Sequence, residues 1–348
     1  MFIRPPQRRR WRRAAGLPLV VVLTVAGAAA LSGASTATAA AGLPQLNITA
    51  DYVSGISSGA AEAVQLQVAY SSRFQGLGFF AGPAYDCAQD SSTLAVYACA
   101  YDTLPDDLGQ LEATTTKWAS QGLIDPTADL AGKPVYEWHG TLDTVVAGPV
   151  ANDADSFLKH FGASVQYVST VPSGHGWISP IAPEVCGASA APYLDDCGTD
   201  PEGAMLTDWF GSVNAPNSGA PSGQMISFNQ NTYAPGGSAA AAGLGPTGYE
   251  YVPGACASGT ACRLVLALHG CEQNTTDVGS AFIDDTYLNQ YADTNDLVIL
   301  YPQVSATNAA NPLGCWDWWG YLPNDADYAQ KAGAQMTAVV DMVTANGG

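Results

Sequence analysis

Ser57 sits at the centre of Gly55-Ile56-Ser57-Ser58-Gly59, a Gly-x-Ser-x-Gly pattern. In that pattern a serine occupies the tip of a sharp strand-to-helix turn, where its hydroxyl is exposed as a nucleophile and the flanking glycines supply the bare backbone of the bend. The pattern arises easily by chance in a chain with 37 glycines, so its context decides. A nucleophilic serine needs a base to take its proton and a carboxylate to orient the base. The chain has four histidines, His139, His160, His175 and His269. His175 lies in Pro172-Ser-Gly-His-Gly-Trp177, a glycine-flanked loop that can swing onto the serine, and is the candidate base. His139 and His269 each close an apolar run in a His-Gly pair and are read as turn-shaping, and His160 as a solvated or capping group at a helix end. Asp143, four residues past His139, is the candidate orienting carboxylate.

The elements that must position these residues are legible around them. Residues 46–53 read as a strand and 60–70 as a helix rich in strong helix formers, so strand, turn and helix come in the required order. Residues 76–81 form an apolar run of buried-strand length. Helices are expected at 108–121, 151–161, 200–213, 284–293 and 326–345. Further strands are expected at 133–139, 164–169, 225–229, 248–252, 263–269 and 297–301. Asp143 and His175 both follow strands, where a doubly wound sheet gathers its chemistry. A stretch of Pro, Gly, Ser and Asn over 214–223 is read as a loop within one unit, and no internal repeat is found.

Composition narrows the setting. Arg4, Arg8, Arg9, Arg10, Arg12 and Arg13 precede an apolar run over 17–31 and small residues around Ala37-Thr-Ala39, the three parts of a secretory signal peptide, so residues 1–40 are assigned to a leader and the mature chain is expected to start between Ala40 and Leu43. Six of the twelve Lys and Arg lie in that leader and none of the 31 Asp and Glu do, which leaves a formal charge of −25 on the remainder. Such acidity excludes nucleic acid and anionic membranes as partners and suits an exported protein acting on a neutral molecule. Residues 41–348 are enough for a single α/β catalytic domain. Eight cysteines in an exported chain point to disulfides, and the absence of a Cys-x-x-Cys pair argues against structural zinc. The local spacing suggests Cys87 with Cys99, Cys186 with Cys197, Cys256 with Cys262 and, at longer range, Cys271 with Cys315.

Ser57, Asp143 and His175 follow the chain order of an α/β hydrolase. One feature breaks that order. His269-Gly270-Cys271 closes the most apolar strand, the usual mark of the loop that supplies an oxyanion-binding amide, yet it comes more than two hundred residues after the serine instead of before it. The expected fold is therefore an α/β-hydrolase fold, circularly permuted, with a mostly parallel sheet and helices on both faces.

Several segments together resemble the poly(3-hydroxybutyrate) depolymerases. They are Tyr52-Val-Ser-Gly-Ile-Ser-Ser-Gly59, Phe80-Ala-Gly-Pro-Ala-Tyr-Asp-Cys87, His139-Gly-Thr-Leu-Asp143, Gly174-His-Gly176, Leu268-His-Gly-Cys-Glu-Gln-Asn274 and Gly314-Cys-Trp-Asp-Trp-Trp319. The secreted single-domain type with a permuted catalytic domain is the one most alike. The resemblance implies a serine esterase cutting short-side-chain polyhydroxyalkanoate, with Ser57 as nucleophile, His175 as base, Asp143 as its partner and the amides of Ser58 and Cys271 as the oxyanion hole. It also implies that one or more of Trp316, Trp318 and Trp319 lines the polymer crevice. It implies no metal, no cofactor, no membrane partner and a monomer, whose grip on a polymer comes from its own surface. Oxidised poly(vinyl alcohol) hydrolases and secreted feruloyl or acetylxylan esterases share the same acyl-transfer chemistry and stand as alternatives.

Overall fold

The computed structural model describes residues 42–348. The leader assigned to residues 1–40 lies outside them. Among the described residues eleven strands are formed: β1 Ile48–Ile56, β2 Phe74–Phe80, β3 Pro134–Trp138, β4 Ser164–Val168, β5 Trp177–Ile178, β6 Glu184–Val185, β7 Leu194–Asp196, β8 Gln224–Asn229, β9 Thr247–Val252, β10 Cys262–Leu268 and β11 Leu297–Tyr301. The helices are α1 Ser58–Ala69, α2 Ser92–Tyr97, α3 Leu108–Ser120, α4 Gly148–His160, α5 Pro201–Phe210, α6 Gly254–Ala257, α7 Thr275–Val278, α8 Ala281–Asp285, α9 Leu288–Asn295 and α10 Ala334–Ala345.

Eight strands make one sheet in the order β4-β3-β2-β1-β10-β11-β9-β8. Every pairing is parallel except those of β9 with β11 and β8. Numbered from β8, the spatial order becomes 1-2-4-3-5-6-7-8, that of the α/β-hydrolase sheet, so the expected permutation is what the topology shows. The backbone supports it directly: the Leu46 N–H donates to the Asn346 carbonyl at 2.8 Å, stitching the entry to β1 onto the end of α10. The short strands β5, β7 and β6 form a second sheet that carries the chain beyond His175.

Alternation along the strands divides the core in two. Val53, Leu77, Phe79, Val135, Leu264 and Leu266 face α1, α4 and α10. Ile56, Phe80, Tyr136, Val265 and Ile299 face α5 and α9. Helix α1 is buried along its whole length, so its small residues, rather than an amphipathic stripe, let it lie close on the sheet. A Cβ at Gly59 would collide with the carbonyl oxygens of Leu268 and His269, so glycine there allows the start of α1 to touch the end of β10.

Two expected helices are corrected. The single helix at 284–293 is two, α8 and α9, because Tyr287 takes a left-handed conformation with φ 65°. The helix expected from 326 begins only at Ala334, because Asp325 reaches over a run of turns and accepts the Ala334 N–H at 3.1 Å. All four disulfides match the spacing-based pairing: Cys87–Cys99, Cys186–Cys197, Cys256–Cys262 and Cys271–Cys315.

The sheet and its helices bury many carboxyl groups. Burial pushes Glu250 up to about 8 and Asp86, Asp195 and Asp317 up to about 7, and drives Glu62, Glu137 and Glu202 well above the ordinary range. In the unfolded chain these groups ionise near pH 4. Their folded pKa values are higher, so the stability they allow is complete below pH 4 and is lost as pH rises toward 8. The Tm measured by calorimetry is expected to fall by about 5 °C or more between pH 5 and pH 8; a flat profile would contradict the burial of neutral carboxyls. A Gly59→Ala variant, tested by thermal unfolding, is expected to lose about 3 kcal/mol or more, since the colliding atoms are backbone and cannot swing away.

Candidate active site

The serine turn is built by the end of β1. Ser57 has φ 57° and ψ −121°, a conformation ordinary side chains avoid, and it persists because both sides are tied. The Ser57 N–H donates to the Phe80 carbonyl at 2.9 Å, and the Ser57 carbonyl accepts the Ala61 N–H at 3.0 Å. Ser57 is half-buried and lines a pocket of about 220 Å³. Ser58 is the first residue of α1, so its amide lies at the positive end of a helix.

The structure brings Asp143 and His175 together from the loops after β3 and β4. His175 Nδ1 lies 2.8 Å from Asp143 Oδ2, and both side chains are almost wholly buried. The other carboxylate oxygen, Oδ1, accepts the Val145 and Val146 N–H groups at 2.8 and 2.9 Å. Burial pushes the Asp143 carboxyl up, but the hydrogen bond and charge of His175 and the two amides outweigh it and hold the group below its usual range. Asp143 is therefore an anion that fixes the imidazole by Nδ1 and leaves Nε2 for the pocket, which His175 also lines. Among the described residues Ser57 Oγ makes no hydrogen bond to His175; contacts of this kind commonly tighten only around substrate.

The two loops are fastened to each other. Thr141 and Leu142 N–H groups donate to the carbonyls of Val171 and Ser173 at 2.8 and 3.1 Å. Trp138 Nε1 donates to Ser173 Oγ at 3.1 Å, and His139 Nε2 donates to the Val146 carbonyl at 2.9 Å. The His175 N–H is taken by Ser189 Oγ at 2.8 Å, within a segment closed by Cys186–Cys197. His139 thus acts on the turn that holds Asp143, and His160 sits at the end of α4, 3.3 Å from Glu112.

The loop after β10 faces the serine. Burial lowers the His269 pKa to about 4, so the ring is neutral. Its Nε2 accepts the Val304 N–H at 3.2 Å, which leaves the proton on Nδ1 to donate to the Gly270 carbonyl at 2.7 Å. In a trans peptide C=O and N–H point in opposite directions. Holding the Gly270 carbonyl inward thus turns the Cys271 N–H outward, toward the pocket that Cys271 lines. The neighbouring amides are occupied: Gly270 N–H donates to Gln273 Oε1 at 2.7 Å and Glu272 N–H to the Leu313 carbonyl at 2.7 Å. Gln273 Nε2 also donates to the Pro192 and Tyr193 carbonyls at 2.9 and 3.0 Å, bolting this loop to the segment beyond His175. Sequence reading took His269 as turn-shaping in a His-Gly pair that marks an oxyanion-binding loop, and gave Gln273, though part of the same motif, no role; the partners that define both, Val304, Pro192 and Tyr193, lie far off in the chain.

The three tryptophans separate. Trp316 is fully buried, its Nε1 donating to the His269 carbonyl at 2.9 Å, so it braces the loop from beneath and does not line the crevice as the resemblance allowed. Trp318 and Trp319 line a second pocket of about 280 Å³ with Val96 and Leu313. Cys271 and Leu313 border both pockets. Tyr193, Leu313 and Val145 had no local sequence signal, since each sits in an irregular loop that only the fold carries to the serine. Among the described residues no cluster of His, Cys, Asp and Glu is arranged to hold a metal ion.

The arrangement has the groups that acyl transfer from a serine requires. Residues 248–347 match the family model described as esterase PHB depolymerase. The chain is 42% identical over 327 residues to a poly(3-hydroxybutyrate) depolymerase of Delftia acidovorans, covering 91% of this chain and 64% of that one. It is 40% identical to a polyhydroxybutyrate depolymerase of Talaromyces funiculosus, covering 88% and 92% respectively. The chain belongs to the PHB depolymerase family. A crystal structure of the family's member from Penicillium funiculosum superposes with a TM-score of 0.79 at 38% identity, over 87% of this chain and 98% of that one. A serine-to-alanine PHB depolymerase complexed with an R3HB trimer aligns equally well.

Asp143→Asn keeps an acceptor for the two amides but offers the imidazole an amide in place of a carboxylate. Its kcat on a soluble ester is expected to fall about 10³- to 10⁴-fold with the fold intact; a loss below tenfold would remove Asp143 from its orienting role.

Proposed function

We propose that this chain is an exported serine esterase that hydrolyses poly(3-hydroxybutyrate)-type, short-side-chain polyester to 3-hydroxybutyrate monomers and oligomers. The observation that carries the reading is the Asp143–His175 pair set beside Ser57 in a pocket that borders a tryptophan-lined one across Leu313. Family membership and the trimer complex of a similar structure support the choice of ester.

In this reading Ser57 Oγ attacks an ester carbonyl as His175 Nε2 takes its proton. The amides of Ser58 and Cys271 receive the oxyanion, already aimed by the helix start and by His269. The alcohol half leaves with the proton from His175, and water repeats the sequence on the acyl-serine. Nothing in these steps calls for a metal or a cofactor. The crevice wall is apolar, with Trp318, Trp319, Val96 and Leu313, which suits a chain of methyl-bearing ester units. Export rests on the basic head, apolar run and small-residue site of residues 1–40, with the rest of the chain as one catalytic domain working as a monomer. Among the described residues no helix is long and apolar enough to cross a membrane.

The test is the clearing of a poly(3-hydroxybutyrate) suspension, with 3-hydroxybutyrate products assayed. The parent protein is expected to clear it and Ser57→Ala to be slower by about 10³-fold or more. Hydrolysis of small esters without clearing would move the substrate to a diketone polymer or a carbohydrate ester.

A further inference from the structure

We infer that Glu272 makes the site discriminate against esters whose leaving half carries a free carboxylate, so that uncharged internal esters are cut in preference to those at a carboxyl terminus. The inference rests on the polyester reading for its natural substrate and on the pocket itself for its physics.

Glu272 lines the same pocket as Ser57 and His175. Its backbone is held in the left-handed region, φ 54°, with its N–H on the Leu313 carbonyl at 2.7 Å, and its carboxylate accepts the Tyr193 hydroxyl at 3.1 Å. The side chain is thus tethered at the pocket wall. Among the described residues neither pocket is lined by a lysine or arginine that would offset it. Of the six basic residues outside the leader, five are engaged elsewhere, Arg73 with Asp51, Lys331 with Asp125, Lys159 with Asp155, Lys133 with Gln75 and Arg263 over the Phe210 ring, and the sixth, Lys117, sits in the last turn of α3 and lines neither pocket.

Bond cleavage gives this carboxylate no task. It is one residue from the amide proposed to bind the oxyanion, where a negative charge opposes the charge that develops on the substrate. Its effect falls on the ground-state charge of what enters. A 3-hydroxybutyrate oligomer has a hydroxyl at one end and a carboxylate at the other, and for every ester in it the carboxylate lies on the alcohol, or leaving, side. When the scissile ester is the last one, that charge sits one unit from the reacting carbonyl and meets Glu272; when the ester is internal, it is far away. Released acids are repelled by the same charge, which favours their departure.

The experiment compares, in each variant, kcat/KM for a neutral ester with that for its carboxylate counterpart. One pair is the (R)-3-hydroxybutyrate trimer as methyl ester and as free acid. The other is methyl 4-butyryloxybenzoate and 4-butyryloxybenzoate, which carries the charge on the leaving group without any polyester character. Because the ratio is internal to each preparation, a misfolded fraction cancels. The parent is expected to favour the neutral member, and Glu272→Gln, which keeps a partner for Tyr193, to reduce the preference about fivefold at low salt. Raising the salt to about 0.5 M should compress the parent's ratio toward that of the variant. Ratios equal in parent and Glu272→Gln for both pairs overturn the inference. If only the benzoate pair is cleaved, the polyester reading fails while that pair still decides the role of Glu272; if neither pair is cleaved, both fail.

Discussion

The parallel pairing of β1 with β10 is the constraint on which the rest of the site depends. Gly55 is in register with Leu268, so the serine turn and the loop of His269 to Gln273 leave the sheet side by side at the same edge. The contact is closer than two ordinary strands followed by ordinary loops would permit, because Gly59 presents no side chain to the Leu268 and His269 carbonyls. The proposed nucleophile Ser57, from one end of the chain, and the proposed oxyanion donor Cys271, from the other, are thereby on neighbouring loops without either loop having to reach. Most of the strand residues in this pair are buried, and the apolar faces on both sides hold the register, since a one-residue slip would turn each strand's core side outward.

Around that pair, rigidity is distributed by polar side chains whose partners lie on other elements. His269, kept neutral by burial, sets the direction of one peptide. Gln273 joins the same loop to the segment after His175, and His139 and Trp138 fix the turns carrying Asp143 and His175. Cys271–Cys315 ties the loop to the segment of Trp316, Trp318 and Trp319, so the proposed oxyanion donor and the wall of the tryptophan-lined pocket share a covalent link. Preorganisation of this kind spares the reorganisation that solvent dipoles would need as charge develops.

The permuted order costs the fold little, because the strands that must be adjacent are adjacent regardless of where the chain starts. The β8–β9 hairpin, which heads the sheet in the ordinary order, here arrives midway and caps the far edge of the sheet. What the permutation requires is a join between the entry to β1 and the end of α10, and the bond from Leu46 to Asn346 supplies it.

Local chemistry in the sequence determined the parts that depend on near neighbours. The Gly-x-Ser-x-Gly turn, the strand before it and the helix after it lie within about twenty residues, and the apolar runs of β2, β10 and β11 follow from composition alone. Closely spaced cysteines identified their partners because short loops close readily. The order of Ser57, Asp143, His175 and the late His-Gly loop even exposed the permutation. Tertiary structure decided whatever rested on distant partners. Trp316, Trp318 and Trp319 are alike in sequence, and only the packing against His269 sends the first into the core and leaves the others to the crevice. The break at Tyr287 and the late start of α10 arise from backbone conformation and from a cap nine residues away, which helix propensity does not register. Tyr193, Glu272 and Leu313 define the pocket because the sheet carries three unrelated loops to one edge, a coincidence in space that no periodicity along the chain encodes.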